Sequence, residues 1–334
     1  VKATMMIRRY IDLVMHPERY HGHHSKRPFF EGWYYKMIDA SEGSRFAVIP
    51  GIFRGTQPEN DHAFVQILDG MSGKATYHLY PANAFKASES DFDVWVGRNH
   101  FTAHNLVLDI DDTERQVKGD VHFDGITPWP VTWISPGIMG WFGWLAFMEC
   151  YHGVVSLDHA LRGSVTIDNQ LVDFAGGRGY IEKDWGQAFP SAYIWMQTNH
   201  FHQPGNCLTA SVAMIPWRGR SFRGAIIGLW HDKTLYRFAN YTSAVTEKLE
   251  ITDDHVDWIA RDSKHRLEMR AARTEGSLLH APVRTEMHKR VNETMQSSVE
   301  VCLSVLTDKR VIFQGTGRNA GLEVYGDLET LLKS

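Results

Sequence analysis

The sequence predicts an all-β protein: a tandem duplication of two barrel-like β units behind a short N-terminal helix. Three observations carry this. Strand-length apolar stretches follow one another with Gly, Asp or Ser between them, and long helical patterns are absent from the body of the chain. Three sequence blocks recur in the same order in both halves. Aromatic residues are abundant, with 11 Trp, 17 Phe and 12 Tyr among 334 residues, which suits a β protein with an aromatic-lined cavity.

Taken in order, Ile7, Tyr10, Ile11 and Val14 fall at helical spacing. Residues 4–16 therefore read as an amphipathic helix, ended by "HPERYHGHHSKRP". From Pro28 the signals are strands: "FEGWYYKMID", "RFAVIPGIF", "AFVQILDG" and "ATYHLYP". "SVTIDNQLVDF" and "LSVLTDKRVIFQG" read as hairpins.

The repeat sets the domain organisation. "FAVIPG" and "FVQILDGMSGKATYHLY" match "SVAMIPW" and "RGAIIGLWHDKTLYRF". "DVWVGRNHFTAHNLVLDI" matches "HVDWIARDSKHRLEMRA", with Trp95 over Trp258. "SVTIDNQLVDFAGGRGYIEKDWG" matches "LSVLTDKRVIFQGTGRNAGLEVYGD", with Arg178 over Arg318. Each unit would have roughly 150 residues, an ordinary domain size. The expected division is a lead-in over residues 1–27, one β domain over 28–170 and a second over 171–334. The seam is expected near 165–180, with the strand at 178–186 bridging the units. Barrels of about eight strands can hold one small ligand inside.

Composition excludes several classes. Hydrophobic content of 43% and charged content of 22% allow a packed core. A net charge of −4 offers no basic excess for phosphates, so no nucleic-acid partner is expected. Cys150, Cys207 and Cys302 are far apart, which argues against a disulfide scaffold and for a reducing, cytoplasmic setting. Asp12 interrupts "MMIRRYIDLVM", so no secretory signal is expected there. No apolar run reaches the roughly 18 residues of a spanning helix. Residues 137–148, "GIMGWFGWLAFM", could touch a membrane surface or cover a pocket. Oligomeric state is not legible. The clusters "HGHH", His100 with His104, and His200 with His202 lack a carboxylate at recognised ligand spacing, so no metal is expected. No dinucleotide fingerprint, phosphate loop or nucleophile elbow is present, and no cofactor is expected.

Candidate site residues come from strand periodicity. In "FFEGWYYKM", Glu31, Trp33, Tyr35 and Met37 share one face. An acid among aromatics there would be desolvated and protonated; the alternative is an outward Glu31 paired with Lys or Arg. In "RGYIEKDWG", Tyr180, Glu182 and Asp184 share a face, with Ile181, Lys183 and Trp185 on the other. The two carboxyls would be roughly 6.5–7 Å apart. If buried they could not both ionise cheaply, so one would keep its proton; the alternative is a solvated pair bridged to Arg178. In "AYIWMQTNHF", Tyr193, Trp195, Gln197 and Asn199 form an amphipathic face of the kind that lines pockets. If the Ile194/Met196 face is instead the core, the amides merely face water. His152 in "FMECYHGVVSLDHALRG" is a further acid–base candidate, and nothing marks Cys150 as activated.

"FFEGWYYKM", "MECYHGVVSLDHALRG" and "GRGYIEKDWGQAFPSAYIWMQTN" together resemble the tocopherol cyclase family. The resemblance implies two lipocalin-like β units. It also implies ring closure on a prenylated hydroquinone: an acid protonates the prenyl double bond, and the phenolic oxygen adds to the tertiary cation. Such chemistry needs a protonated acid, a dry pocket and electron-rich walls, and no organic cofactor. The catalytic candidates are the Glu182/Asp184 pair, then Glu31, then His152. The substrate-binding candidates are Trp33, Tyr35, Trp185, Tyr193, Trp195, Gln197 and Asn199. A carrier of a hydrophobic molecule, or a hydratase or pericyclase on an isoprenoid or polyketide, is the alternative expectation.

Overall fold

The computed structural model describes residues 2–333. Helix α1 (Lys2–Met15) leads in, close to the predicted span. The first run of strands is β1 (Phe29–Ile38), β2 (Arg45–Arg54), β3 (His62–Asp69), β4 (Ala75–Pro81), β5 (Phe85–Ala87) and β6 (Asp93–Val96). It continues with β7 (Asn99–Thr102), β8 (Asn105–Asp111), β9 (Gln116–Asp124), β10 (Cys150–Ile167), β11 (Gln170–Asp173) and β12 (Arg178–Gly186). The second run is β13 (Ala192–Thr198), β14 (Cys207–Trp217), β15 (Arg220–His231), β16 (Thr234–Ala239) and β17 (Val245–Ile251). β18 (His255–Arg261), β19 (His265–Ala272), β20 (Ser277–Pro282), β21 (Met287–Val305) and β22 (Val311–Gly326) complete it, followed by helix α2 (Leu328–Lys333).

These strands make two antiparallel sheets with matching strand order. The first runs β4-β3-β2-β1-β12-β10-β9-β8-β7-β6-β5, and the second β16-β15-β14-β13-β22-β21-β19-β18-β17. This is the duplicated, lipocalin-like all-β fold. The first and third sequence blocks fall on strands of equal place: β2–β4 with β14–β16, and β12 with β22. The second block does not. Trp95 lies on β6 and is exposed, whereas Trp258 lies on β18, in the place of β8, and is buried. Alternation alone cannot distinguish neighbouring strands of one meander, and this match slipped by two of them.

The domain boundary also differs from expectation. One compact unit holds the segments up to Asp69, Lys74–Phe189 and His280–Lys289. The other holds Gly70–Gly73, Pro190–Leu279 and the segment from Arg290. The break falls after Phe189 instead of at 170/171. β12 does not bridge the units: it lies wholly inside the first sheet, between β1 and β10.

In the first unit the sheet curls until its two ends approach. The Asn99 side-chain amide on β7 donates to the Tyr80 hydroxyl on β4 (3.1 Å), and His78 on β4 lies 2.6 Å from Asp112 after β8. The enclosed interior is packed with side chains, including Trp33, Tyr35, Phe92, Phe101, Phe123 and Ile181. β8 alternates in the half-buried way of a strand with one face on the core, burying Leu106, Leu108 and Ile110. β1 does not alternate, because both of its faces are covered; nine of its ten residues are buried. Glu31 on β1 and Glu182 and Lys183 on β12 are therefore removed from water, and each needs a partner. The second unit has its own core of Ile194, Met196, Leu208, Trp258 and Leu322.

Candidate active site

Register decides which side chains meet. Across β1 and β12, Glu31 faces Trp185, Trp33 faces Lys183 and Tyr35 faces Ile181. Across β10 and β12, His152 faces Asp184 and Val154 faces Glu182. β12 thus presents Ile181, Lys183 and Trp185 to the interior of the first unit, and Tyr180, Glu182 and Asp184 to the opposite face. Gly186 ends the strand at φ +147°, where an added Cβ would lie 2.3 Å from the Glu149 carbonyl oxygen, so only glycine lets β12 and β10 run this close.

The interior cluster is an ion pair. The Lys183 ammonium donates to the Glu31 carboxylate and to the Arg19 carbonyl (2.5 Å), with both side chains fully buried. It sits 4.7 Å from the ring centres of both Trp33 and Trp185. Glu31 also accepts the His21 backbone N–H (2.9 Å). Burial alone would raise the Glu31 carboxyl, but the Lys183 ammonium and the His21 hydrogen bonds outweigh it and hold it below the usual carboxylate range. This corrects the expectation of a protonated Glu31: an acid among aromatics stays ionised when a cation is buried beside it. The cluster pins the lead-in segment to the barrel. His21 stacks on Trp185 (4.2 Å, 13°), and the Trp33 indole donates to the Glu18 carbonyl (3.1 Å).

The opposite face carries a chain of polar groups. His152 Nδ1 lies 2.9 Å from Asp184 Oδ1, and His152 Nε2 lies 3.5 Å from Glu182 Oε2. The Tyr180 hydroxyl donates to Glu182. Nε2 of His152 is buried and has no hydrogen-bond partner. Burial opposes charge on this imidazole, but the Asp184 and Glu182 carboxylates overcome it and raise its pKa to about 9. The sequence predicts that one of the two carboxyls keeps a proton; the group whose pKa is raised here is the imidazole that lies between them. Glu182 is buried, while the Asp184 side chain is 29% exposed, so the cluster opens on the Asp184 side. Burial, reinforced by Asp184 and Glu149, holds the Cys150 thiol well above its ordinary pKa, which leaves it un-ionised.

The raised His152 pKa makes a prediction about stability. The folded value of about 9 exceeds the unfolded value near 6.5, so the stabilisation is complete below about pH 6.5 and is lost as pH rises through about 9. Its full size is roughly 3 kcal/mol. The His152 ring protons should titrate near pH 9 by NMR, and a midpoint near 6.5 would contradict the arrangement.

His152, Glu182 and Asp184 are brought together as one group, whereas Glu31 lies on the other face. Trp33, Tyr35 and Trp185 are interior. Trp33 stacks on Phe92 (5.4 Å, 14°), the Tyr35 hydroxyl donates to the Thr102 carbonyl (2.8 Å), and Trp185 stacks between His21 and Tyr151. Tyr193, Trp195 and Gln197 belong to the second unit, on the β13 face away from its Ile194/Met196 core, and Asn199 follows just past the strand, yet all four are buried. The Tyr193 hydroxyl donates to Glu323 (2.6 Å), and the Gln197 amide lies 3.7 Å from Cys207 Sγ. Sequence reading missed Lys183 and His21; a lysine between Ile181 and Trp185 on an inward face was the available signal. It also missed that His152, Glu182 and Asp184 offer ligand atoms within 4.8 Å of one another, a spacing at which they could hold a metal ion. No local spacing reveals this, because the histidine and the carboxylates sit on different strands.

A family model described as tocopherol cyclase-like matches residues 103–326. The chain is 25% identical over 148 residues to a probable chloroplastic tocopherol cyclase of Oryza sativa subsp. japonica, covering 43% of this chain and 31% of that protein. It is 23% identical over 322 residues to a chloroplastic tocopherol cyclase of Zea mays, covering 79% of this chain and 66% of that protein. Among solved structures, CghA with Sch210972 is similar in fold, with a TM-score of 0.57 at 11% identity, covering 90% of this chain and 89% of the other.

Proposed function

The chain belongs to the tocopherol cyclase-like family, and from that premise we propose that it is a cyclase acting on a prenylated hydroquinone or a related isoprenoid. The observation that supports this reading is the buried His152 imidazole between Glu182 and Asp184. It keeps a mobile proton available at neutral pH in a site largely removed from water. In the proposed sequence, Asp184 orients the ring through Nδ1, and the proton passes from Nε2 to Glu182 and from that carboxyl to the alkene carbon. A tertiary cation forms beside the anionic cluster that remains. The phenolic oxygen then bonds to the cationic carbon, and its proton returns to the cluster. The sum is an isomerisation, so no oxidant or reductant enters its balance. Trp33 and Trp185 already face the Lys183 ammonium; the rings on the catalytic face of the strand pair are Tyr180 and, opposite Glu182 in register, Tyr34.

The test is incubation of the chain with a prenylated hydroquinone, followed by mass spectrometry. A product of unchanged mass that has lost one phenol supports cyclisation. A gain of one water would make the protein a hydratase, and tightly bound but unchanged substrate would make it a carrier. Activity abolished by a chelator and restored by a divalent cation would reassign the three side chains to metal binding.

A further inference from the structure

We propose that α1 and the loop before β10 form a single face that docks on an anionic lipid bilayer. The loop, residues 125–148, contains no charged residue and four tryptophans. Trp133, Ile134, Trp141 and Phe147 are exposed, Ile134 at 86%. On α1, Met5, Met6 and Ile7 are exposed at 60–73%. The two segments are joined: the Tyr10 hydroxyl donates to the Trp144 carbonyl (2.5 Å), and the Trp144 indole donates to the Trp133 carbonyl (2.9 Å). The rings of Trp133 and Trp144 stack at 5.8 Å. A joined, exposed apolar surface of this kind marks an interaction site.

Charge selects the occupant. Before Asp12 the sequence carries Lys2, Arg8 and Arg9 and no acid. Asp12 itself is paired with Arg19 (2.9 Å), and Glu149, just past the loop, with Arg284 (2.6 Å). The face is therefore locally cationic and apolar, although the chain carries −4 overall. Indole rings favour the water–hydrocarbon boundary, and basic side chains favour anionic headgroups. No helix among the described residues is long and apolar enough to cross a membrane, so the contact proposed is interfacial. The loop leads straight into β10: the Tyr151 hydroxyl donates to the Leu145 carbonyl (2.5 Å), and the Tyr151 ring stacks on Trp185. The docked face therefore leads along the chain into β10, where Tyr151 directly precedes His152.

Flotation of the chain with vesicles tests this. The wild type should float with phosphatidylcholine–phosphatidylglycerol vesicles, less well with phosphatidylcholine alone, and less well at high salt. Each basic residue near the surface should contribute roughly fivefold, so Arg8→Gln with Arg9→Gln should bind the mixed vesicles roughly thirtyfold more weakly. Ile134→Ser, Trp141→Ser and Phe147→Ser together should abolish flotation with unchanged near-ultraviolet circular dichroism, because all three side chains are exposed. Cyclisation of detergent-dispersed substrate by that variant should match wild type, which separates this proposal from the catalytic one. A wild type that floats with neither vesicle would overturn it. So would a wild-type dimer that the triple variant converts to monomer, since the face would then cover a second copy.

Discussion

Glu182→Gln should lower turnover by about 10²–10⁴-fold, the usual contribution of a positioned acid, while lowering the melting temperature only in part, because Asp184 still pairs with the His152 imidazole. Glutamine keeps the shape of the side chain and can still accept the Tyr180 hydroxyl through its amide oxygen. Asp184 still holds His152 from Nδ1. What the variant cannot do is take a proton from the imidazole and pass it on. Steady-state kinetics beside thermal unfolding would check this. A folded Glu182→Gln protein with wild-type turnover would remove Glu182 from the mechanism.

The second large effect is on stability, on the other face of the same strand pair. Lys183→Met should destabilise the first unit by about 3–5 kcal/mol, because it leaves the Glu31 carboxylate buried without its cation. Adding Glu31→Leu should recover most of that loss. A well-packed apolar pair commonly replaces a buried ion pair at little cost. The second unit shows that this strand pair can be built so: its inward residues include Ile194 and Met196 on β13 and Leu322 on β22. The recovery should be incomplete, because the His21 N–H would lose its acceptor, typically about 1–3 kcal/mol. Denaturant unfolding of the single and double variants measures the difference. A double variant as unstable as the two single losses added together would contradict the ion-pair account.

What the sequence made legible was whatever is local. Apolar stretches punctuated by Gly, Asp and Ser located β1–β4, and the Asp168–Asn169 turn of the β10–β11 hairpin has the positive φ angles its residue types favour. The two faces of "RGYIEKDWG" also separated as periodicity requires. What stayed hidden is set by pairing between distant strands. β12 inserts between β1 and β10, which moved the domain boundary to Phe189. The same insertion placed Lys183 against Glu31 and His152 against Asp184. A buried carboxyl's protonation follows from the cation beside it, and for Glu31 that cation lies 152 residues away. The aromatic richness read as cavity lining is largely core in the first unit, where Trp33, Tyr35 and Phe101 are fully buried.

The central claim is that the cluster around His152 delivers a solvent-exchangeable proton to carbon. Turnover of a prenylated hydroquinone in heavy water, read by mass spectrometry and deuterium NMR, tests it most directly. The account predicts one deuteron on carbon in each molecule of cyclised product, and none in substrate incubated with Glu182→Gln. A cyclised product without carbon-bound deuterium would contradict it, because the ring would then have closed without acid.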